Sequence, residues 1–441
     1  MSQKAELKKI KLRWLGGTIF LSAVGSFGFR IVNLLLSFGV SILLTRILGV
    51  DGYGIYAFAM SWVFILNIIG SLGCQGLVVR EVATNKSHER WGLIRGFLKW
   101  SNTLIFLTSV TIALIFAAIG WFFPIMSDTE TIQTLLIALF LVPVMSLTIL
   151  RQSAMQGLGH IVKGQIPESI LQPLLFIAIL ASLHFLDFEV IKVTWVMGVK
   201  VISSILAFLA GTLLLYRIIP NQVKHAEPEY QTEKWFPSML SLIFIAGTGV
   251  IFSRSDVVML GIMAGPGAVG LYDIAFRLAN FVLLSQQVGA NVLGPHVATL
   301  HANGETKRLQ ELTRKSTRAV TSYALSFAFL LIILSNLSLS IFGPEFVQAR
   351  SILIILCLSN LLNAATGPVG LLLNMTNYER TNAAVIGFGA ILNLILNFIL
   401  IPPFGAEGAA IATSITSIAA NILLAGFVYK RLGINCTILN W

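Results

Sequence analysis

The chain has 441 residues, of which 56% are hydrophobic and only 11% charged, with a mean hydropathy of +0.85. A soluble domain carries about a quarter charged residues, and no globular core absorbs this much apolar surface. Composition therefore excludes a soluble enzyme, a disordered chain and a disulfide scaffold. The formal charge is +11, from 30 Lys and Arg against 19 Asp and Glu. In a soluble protein that excess would suggest nucleic acid; in an apolar chain the question is where the cations sit. The three cysteines, Cys74, Cys357 and Cys436, form neither a disulfide framework nor a zinc spacing.

The basic start, MSQKAELKKIKLRW, leads into an apolar run too long for a signal-peptide core. It reads as a first membrane helix, with no cleavable leader expected. Twelve apolar segments follow one another: 18–45, 54–79, 100–122, 132–150, 165–186, 190–215, 238–263, 268–294, 318–342, 350–373, 381–402 and 407–429. About 20 residues suffice to cross a bilayer as helix. The runs are continuous rather than alternating, which excludes a barrel, and helix is the other structure that satisfies its own backbone in lipid. The expected fold is an all-α polytopic membrane protein of about twelve transmembrane helices.

With a cytoplasmic N-terminus, 23 of the Lys and Arg fall in cytoplasmic segments, 3 in outer segments and 4 within helices. This asymmetry predicts that both termini lie in the cytoplasm and that the protein sits in the cell membrane. The longest hydrophilic stretch, 217–236, divides the chain. The predicted organisation is a basic N-terminus (1–17), a six-helix lobe (18–216), a cytoplasmic linker (217–237), a second six-helix lobe (238–430) and a tail (431–441). A weak repeat supports the division, since Gly54 and Tyr56 match Gly270 and Tyr272 at an offset of 216. An even number of helices per half makes this a parallel repeat about the membrane normal, an arrangement that places a transport site between the halves.

Four cations lie within helices: Arg30, Lys200, Arg254 and Arg277. At 1.5 Å per residue, Arg30 falls roughly 18 Å from one membrane face and the others roughly 14–15 Å from the opposite face. All four share one central layer. Each costs about 2.5–3.5 kcal/mol if exposed to lipid there, so each needs a partner, water or an anionic ligand. Either they form a cationic cavity for an anionic group, or each ties helices together through carbonyls and amides. Asp256 is the obvious acid nearby, but two residues' separation turns it about 200° from Arg254. It binds a coupling ion or pairs with another helix. Glu168, beside Pro167, belongs to the cavity or a proton path, or caps a helix start.

Pro143, Pro167, Pro173, Pro295, Pro368 and Pro402 interrupt helices and permit bending. Asn360 and Asn363, and Asn393 and Asn397, stand at helical spacings as interhelical glue or cavity lining. Residues 301–318 read as a short basic amphipathic helix held to anionic headgroups. Motifs for nucleophilic, phosphate-loop or zinc catalysis are absent from the sequence.

Arg46, Gly49, Asp51, Gly54, Tyr56 and Arg80 follow one another around the end of the first segment and along the second. Asp256, Leu260, Gly261, Val269, Gly270, Tyr272 and Ala275 form a related run in the second half, and Asn393, Asn397, Pro402, Gly405, Gly408, Ala409 and Ala410 a third near the end. In order and spacing, these resemble the polysaccharide flippase branch of the multidrug/oligosaccharidyl-lipid/polysaccharide exporter superfamily. The resemblance covers nearly the whole chain. It implies two six-helix lobes around a central cavity that opens alternately to either side. The implied cargo is an oligosaccharide on a polyprenyl pyrophosphate of the undecaprenyl type, with membrane lipids and polysaccharide assembly proteins as further partners and no nucleic acid. Arg30 sits where related lipid II flippases carry a functional arginine. No cofactor is expected, and coupling to a H+ or Na+ gradient is. The rival readings are an organic-cation antiporter of the same superfamily, dependent on Asp256, a membrane-embedded polymerase or ligase, and a scaffold of an assembly complex.

Overall fold

The computed structural model describes the backbone of residues 2–122, 128–185 and 192–438. Side chains are described for 32–120, 128–183 and 192–438, except 238, 240–253, 288, 291 and 292. Among these residues the structure is helical, with turns and no strand. Among the described residues, nine helices are long and apolar enough to cross a membrane. Their exposed positions carry large apolar side chains, among them Leu114, Leu213, Phe329 and Phe398, as a surface solvated by lipid tails requires.

Two of the helical runs are each a pair of helices joined at a kink. Ser2–Gly70 breaks at Gly49 (φ 67°, ψ −170°), and Glu379–Leu432 breaks at Gly405 (φ 55°, ψ −130°). A side chain is disfavoured at these angles, so glycine sets the place of each break. The first break recurs 216 residues later. Gly265 caps the Pro266–Ala279 helix with φ 86° and ψ 175°, and so repeats the conformation of Gly49. The offset is the one that pairs Gly54 with Gly270.

Beyond those matched breaks, the two following helices cross at very short range. A Cβ on Gly54 would lie 1.8 Å from the carbonyl oxygen of Pro266, and a Cβ on Gly270 would lie 2.3 Å from that of Val50. Val50 and Pro266 each stand four residues before the glycine of their own helix. The contact is therefore two-fold symmetric in sequence offset, with each glycine seated on the other helix's preceding turn. Small residues let backbones approach in this way. Arg46 adds a second tie to the later half of the chain, donating to the carbonyls of Ser340 (2.8 Å) and Ile341 (3.0 Å). A continuous core gathers Tyr53, Phe58 and Val63 with Leu260, Val269 and Ile274 around the crossing.

The hydrophilic stretch 217–237 does not hang free, because the Thr232–Met263 helix already starts inside it. Trp235 is buried there against Phe97 and Trp100, and the Glu229 amide donates to the carbonyl of Gly92. Aromatic burial outweighs the local polarity. The basic segment 301–318 is not a separate surface helix either. Residues 306–318 form the first part of Thr306–Ile333, whose Leu309, Thr313, Thr317 and Thr321 face inward. With no glycine or proline between 306 and 333, nothing ends the helix. The tail beyond Gly433, the helix C-cap in the left-handed region (φ 66°), folds back, and the Cys436 carbonyl accepts from Thr317 Oγ1.

Gly54→Ala or Gly270→Ala should pry the crossing apart at a cost of about 1–3 kcal/mol. The expected readout is a lower thermal midpoint of the detergent-purified protein. Gly39, whose Cβ position has nothing within 4 Å, serves as the control and should tolerate alanine. Equal midpoints for all three variants would contradict the close approach.

Candidate functional site

Lys200, Arg254 and Arg277 line one cavity of about 220 Å³. Its walls come from the Ser2–Gly70 helix on both sides of Gly49, from Gln172 and Phe176, and from the helices of the three cations. Arg30 belongs to the first of these helices, but its side chain lies outside the described residues. Ser37 and Ser41, seven and eleven residues further along that helix, line the cavity.

The counter-charge is Asp273, which sequence reasoning missed. It is 2% exposed. Its Oδ2 accepts from Arg277 Nε at 2.6 Å and from Tyr53 OH at 2.7 Å, and its Oδ1 lies 3.8 Å from Arg254 Nη1. The signal was present as Asp273 and Arg277, a carboxylate and a guanidinium four residues apart on one helix. Arg254 also stacks over Phe64 (4.7 Å), and Lys200 Nζ sits 5.7 Å from the Phe176 ring centre. Arg254 and Arg277 thus share one carboxylate while Lys200 has none, and the described lining of the cavity is net positive.

Gln172 reaches this cavity from a distorted helix. Between Ile161–Ile166 and Gln172–Phe185 the chain makes a wide π turn over Pro167–Leu171. Pro167 and Pro173 each lack an N–H, which loosens the α-helical ladder on either side. Gln172 Nε2 donates to Ser203 Oγ at 3.1 Å.

Asp256 is buried away from the cations, as its angular separation from Arg254 predicts. Its Oδ2 accepts from Tyr272 OH (2.7 Å) and Thr413 Oγ1 (2.6 Å), and its Oδ1 from Asn397 Nδ2 (2.6 Å). Asn393 Oδ1 accepts from Asn397 Nδ2 (2.9 Å) and Ser255 Oγ (3.0 Å). Two atoms of this cluster, Asn393 Nδ2 and Asn397 Oδ1, are buried without a partner. Glu168 lies elsewhere, ion-paired to the buried Arg151 at 2.5 Å and accepting from Gln152 Nε2 at 3.0 Å. The Arg151 guanidinium fits where a Cβ on Gly211 would be 1.6 Å from its Nη1. Asn360 donates to the carbonyl of Ala279 (2.9 Å), acting between helices. Among the described residues, no three His, Cys, Asp or Glu side chains gather where they could hold a metal ion.

Residues 20–299 match the model of the polysaccharide biosynthesis protein family. The chain belongs to this family. A relative in Haloferax volcanii, named a probable low-salt glycan biosynthesis flippase, is 27% identical over 274 residues. That stretch is 59% of this chain and 57% of the relative, so the match spans little more than half the relative's length. In fold, the family member is similar to a multidrug resistance MATE family transporter of the MOP superfamily in an inward-facing conformation (TM-score 0.78, 13% identity, 91% of this chain and 94% of that one). It is also similar to the lipid II flippase MurJ in an inward closed conformation (TM-score 0.68, 18% identity, 93% and 87%). With its nine apolar helices, the family member is a multi-pass membrane protein.

Asp273→Asn should leave Arg254 and Arg277 without their shared charge. Since the two arginines are 26% and 41% exposed, the cost should lie below the ~3–5 kcal/mol of a fully buried pair. The double variant Asp273→Asn/Arg277→Met should recover part of the lost thermal stability. No recovery would mean that Arg277 is held by something other than Asp273.

Proposed function

We propose that the protein is a flippase that moves a polyprenyl-pyrophosphate-linked glycan, of the undecaprenyl type, across the cell membrane for surface polysaccharide synthesis. The observation that carries this reading is the cavity lined by Lys200, Arg254 and Arg277, in which Arg254 and Arg277 share the carboxylate of Asp273 and, among the described lining residues, no second acid answers them. A net cationic site deep among apolar helices calls for an anion, and guanidinium groups bind phosphate oxygens in pairs. The family match and the name of the Haloferax relative support glycan-lipid transport. They also favour a transporter over a polymerase or ligase. An organic-cation antiporter fits less well, because three cations repel such a cargo.

The mechanism we infer is alternating access. Twelve spans form two six-helix lobes, 18–216 and 238–430, with both termini in the cytoplasm. The Gly54–Gly270 crossing closes one end of the path. Its separation would admit the cavity to the other leaflet while the lipid tail stays in the bilayer. Arg30 completes the pyrophosphate site from the first helix. The oxygens of Asp256, Thr413, Asn393 and Asn397 form a hard-ligand set suited to Na+, and the carboxylate alone suits H+. This cluster is the proposed coupling site, and Glu168 is a secondary candidate. Polysaccharide assembly proteins are the proposed protein partners.

Arg277→Ala and Arg30→Ala should each reduce flipping by about tenfold or more, the worth of one charge-assisted hydrogen bond. The assay is protection of lipid-linked glycan from an external glycosidase in proteoliposomes. Full export by a well-folded double variant would overturn the cavity reading. Asp256→Asn should remove the dependence of flipping on an imposed Na+ or H+ gradient while leaving cargo affinity in place.

A further inference from the structure

A second cavity, of about 430 Å³, lies among the helices of the second half of the chain. Gln286, Asn363, Asn374, Asn382, Ser417 and Asn421 line it, and among the described residues no charged side chain does. Five carboxamides and a hydroxyl converge from four separate helical segments. Interhelical glue would spend these groups on one another, and here they mostly are not spent. Asn382 Nδ2 donates to Asn374 Oδ1 at 2.9 Å, but Asn382 Oδ1 is buried and has no partner. Asn382 itself is 8% exposed. Asn421 donates only to its own helix, at the carbonyl of Ser417. Among the described residues, the side-chain amides of Gln286 and Asn363 bond no protein group.

We propose that this cavity holds the first sugars of the transported glycan, and that it selects uncharged sugars. The inference rests on the flippase reading above. Each carboxamide offers two donors and an acceptor on one rigid plane, matching hydroxyl and acetamido groups that both donate and accept. The volume lies in the range of small-molecule sites. The unpartnered Asn382 Oδ1 awaits a donor, as sugar hydroxyls supply. The absence of cations among the lining residues leaves a uronate carboxylate without a counter-charge. Position fits as well. Gln286 lies nine residues beyond Arg277 on a helical run interrupted only by a 3₁₀ turn at Asn280–Leu283. That spacing is about 14 Å along the helix. A pyrophosphate at Arg277 would therefore have its glycan extending toward Gln286.

The test measures binding of two probes to the full-length protein in detergent: polyprenyl pyrophosphate alone, and the same lipid carrying a neutral trisaccharide. The wild type should bind the glycosylated lipid about tenfold more tightly, as expected of a site that hydrogen-bonds its ligand's hydroxyls. In Asn382→Leu/Asn421→Leu the affinity for the bare lipid should be unchanged and the preference should fall below about twofold. Because Asn382 is buried, Asn363→Ala/Asn421→Ala, at half-buried positions, provides a second variant with the same expected result. Replacing one neutral sugar by a uronic acid should weaken wild-type binding to the level of the bare lipid. Retention of the preference in both variants, or equal binding of both probes by the wild type, would overturn the glycan site and leave the flippase reading standing. Failure of the wild type to bind either lipid would overturn both.

Discussion

The buried carboxylate of Asp273 holds together the part of the molecule on which the rest depends. It sits where the helix after Gly49 meets the helix after Gly265, 2% exposed, bonded to Tyr53 from one and to Arg277 from the other. A lone charge at that depth would be prohibitive; with cations around it, the cost becomes a geometric requirement. The two helices must approach closely enough for Tyr53 to reach across. The glycines at 54 and 270 make that approach sterically possible. The cavity's charge and the helix crossing beside it therefore share one set of contacts.

This coupling gives the transport reading a physical basis. A cation site compensated by a carboxylate at a helix crossing changes when the helices separate, since Tyr53 and Asp273 belong to different helices. An anionic cargo that binds Arg254 and Arg277 competes with Asp273 for them. Cargo binding and helix separation would then bear on the same hydrogen bonds, the kind of differential contact that ligand-driven population shift requires. The Asp256 cluster bonds Tyr272, the residue before Asp273, and a different set of helices through Thr413, Asn393 and Asn397. It is placed to bias the same element from its other side.

Much of the site was legible before any coordinates. Membrane depth alone singles out Lys200, Arg254 and Arg277, because a cation deep in an apolar run is expensive, and the structure gathers these three around one cavity. Asp273 was not singled out because it stands only seven residues after the start of its helix, where an acid reads as an ordinary residue near a helix end. Its pairing with Arg277, four residues on, was the available clue. Glu168 was legible as an unusual acid, but its partner Arg151 was counted as a surface cation. A buried ion pair between two helices has no periodic signature in the sequence. The amide-lined cavity was half visible as Asn363. Asn382, Gln286 and Asn421 lie far from it along the chain and carry no shared motif.

The sequence by itself determined the apolar helices, the break at Gly49 and its counterpart at Gly265, and the depth of the central cations. These follow from local quantities: hydropathy over about 20 residues, the steric freedom of glycine and the rise of a helix. Only the tertiary structure decided which acid answers which cation, that residues 217–237 pack rather than hang free, and that five amides from separate stretches of the chain face one space. Those outcomes depend on where whole helices lie against one another. A helix presents its side chains in every direction, and packing alone selects which of them meet.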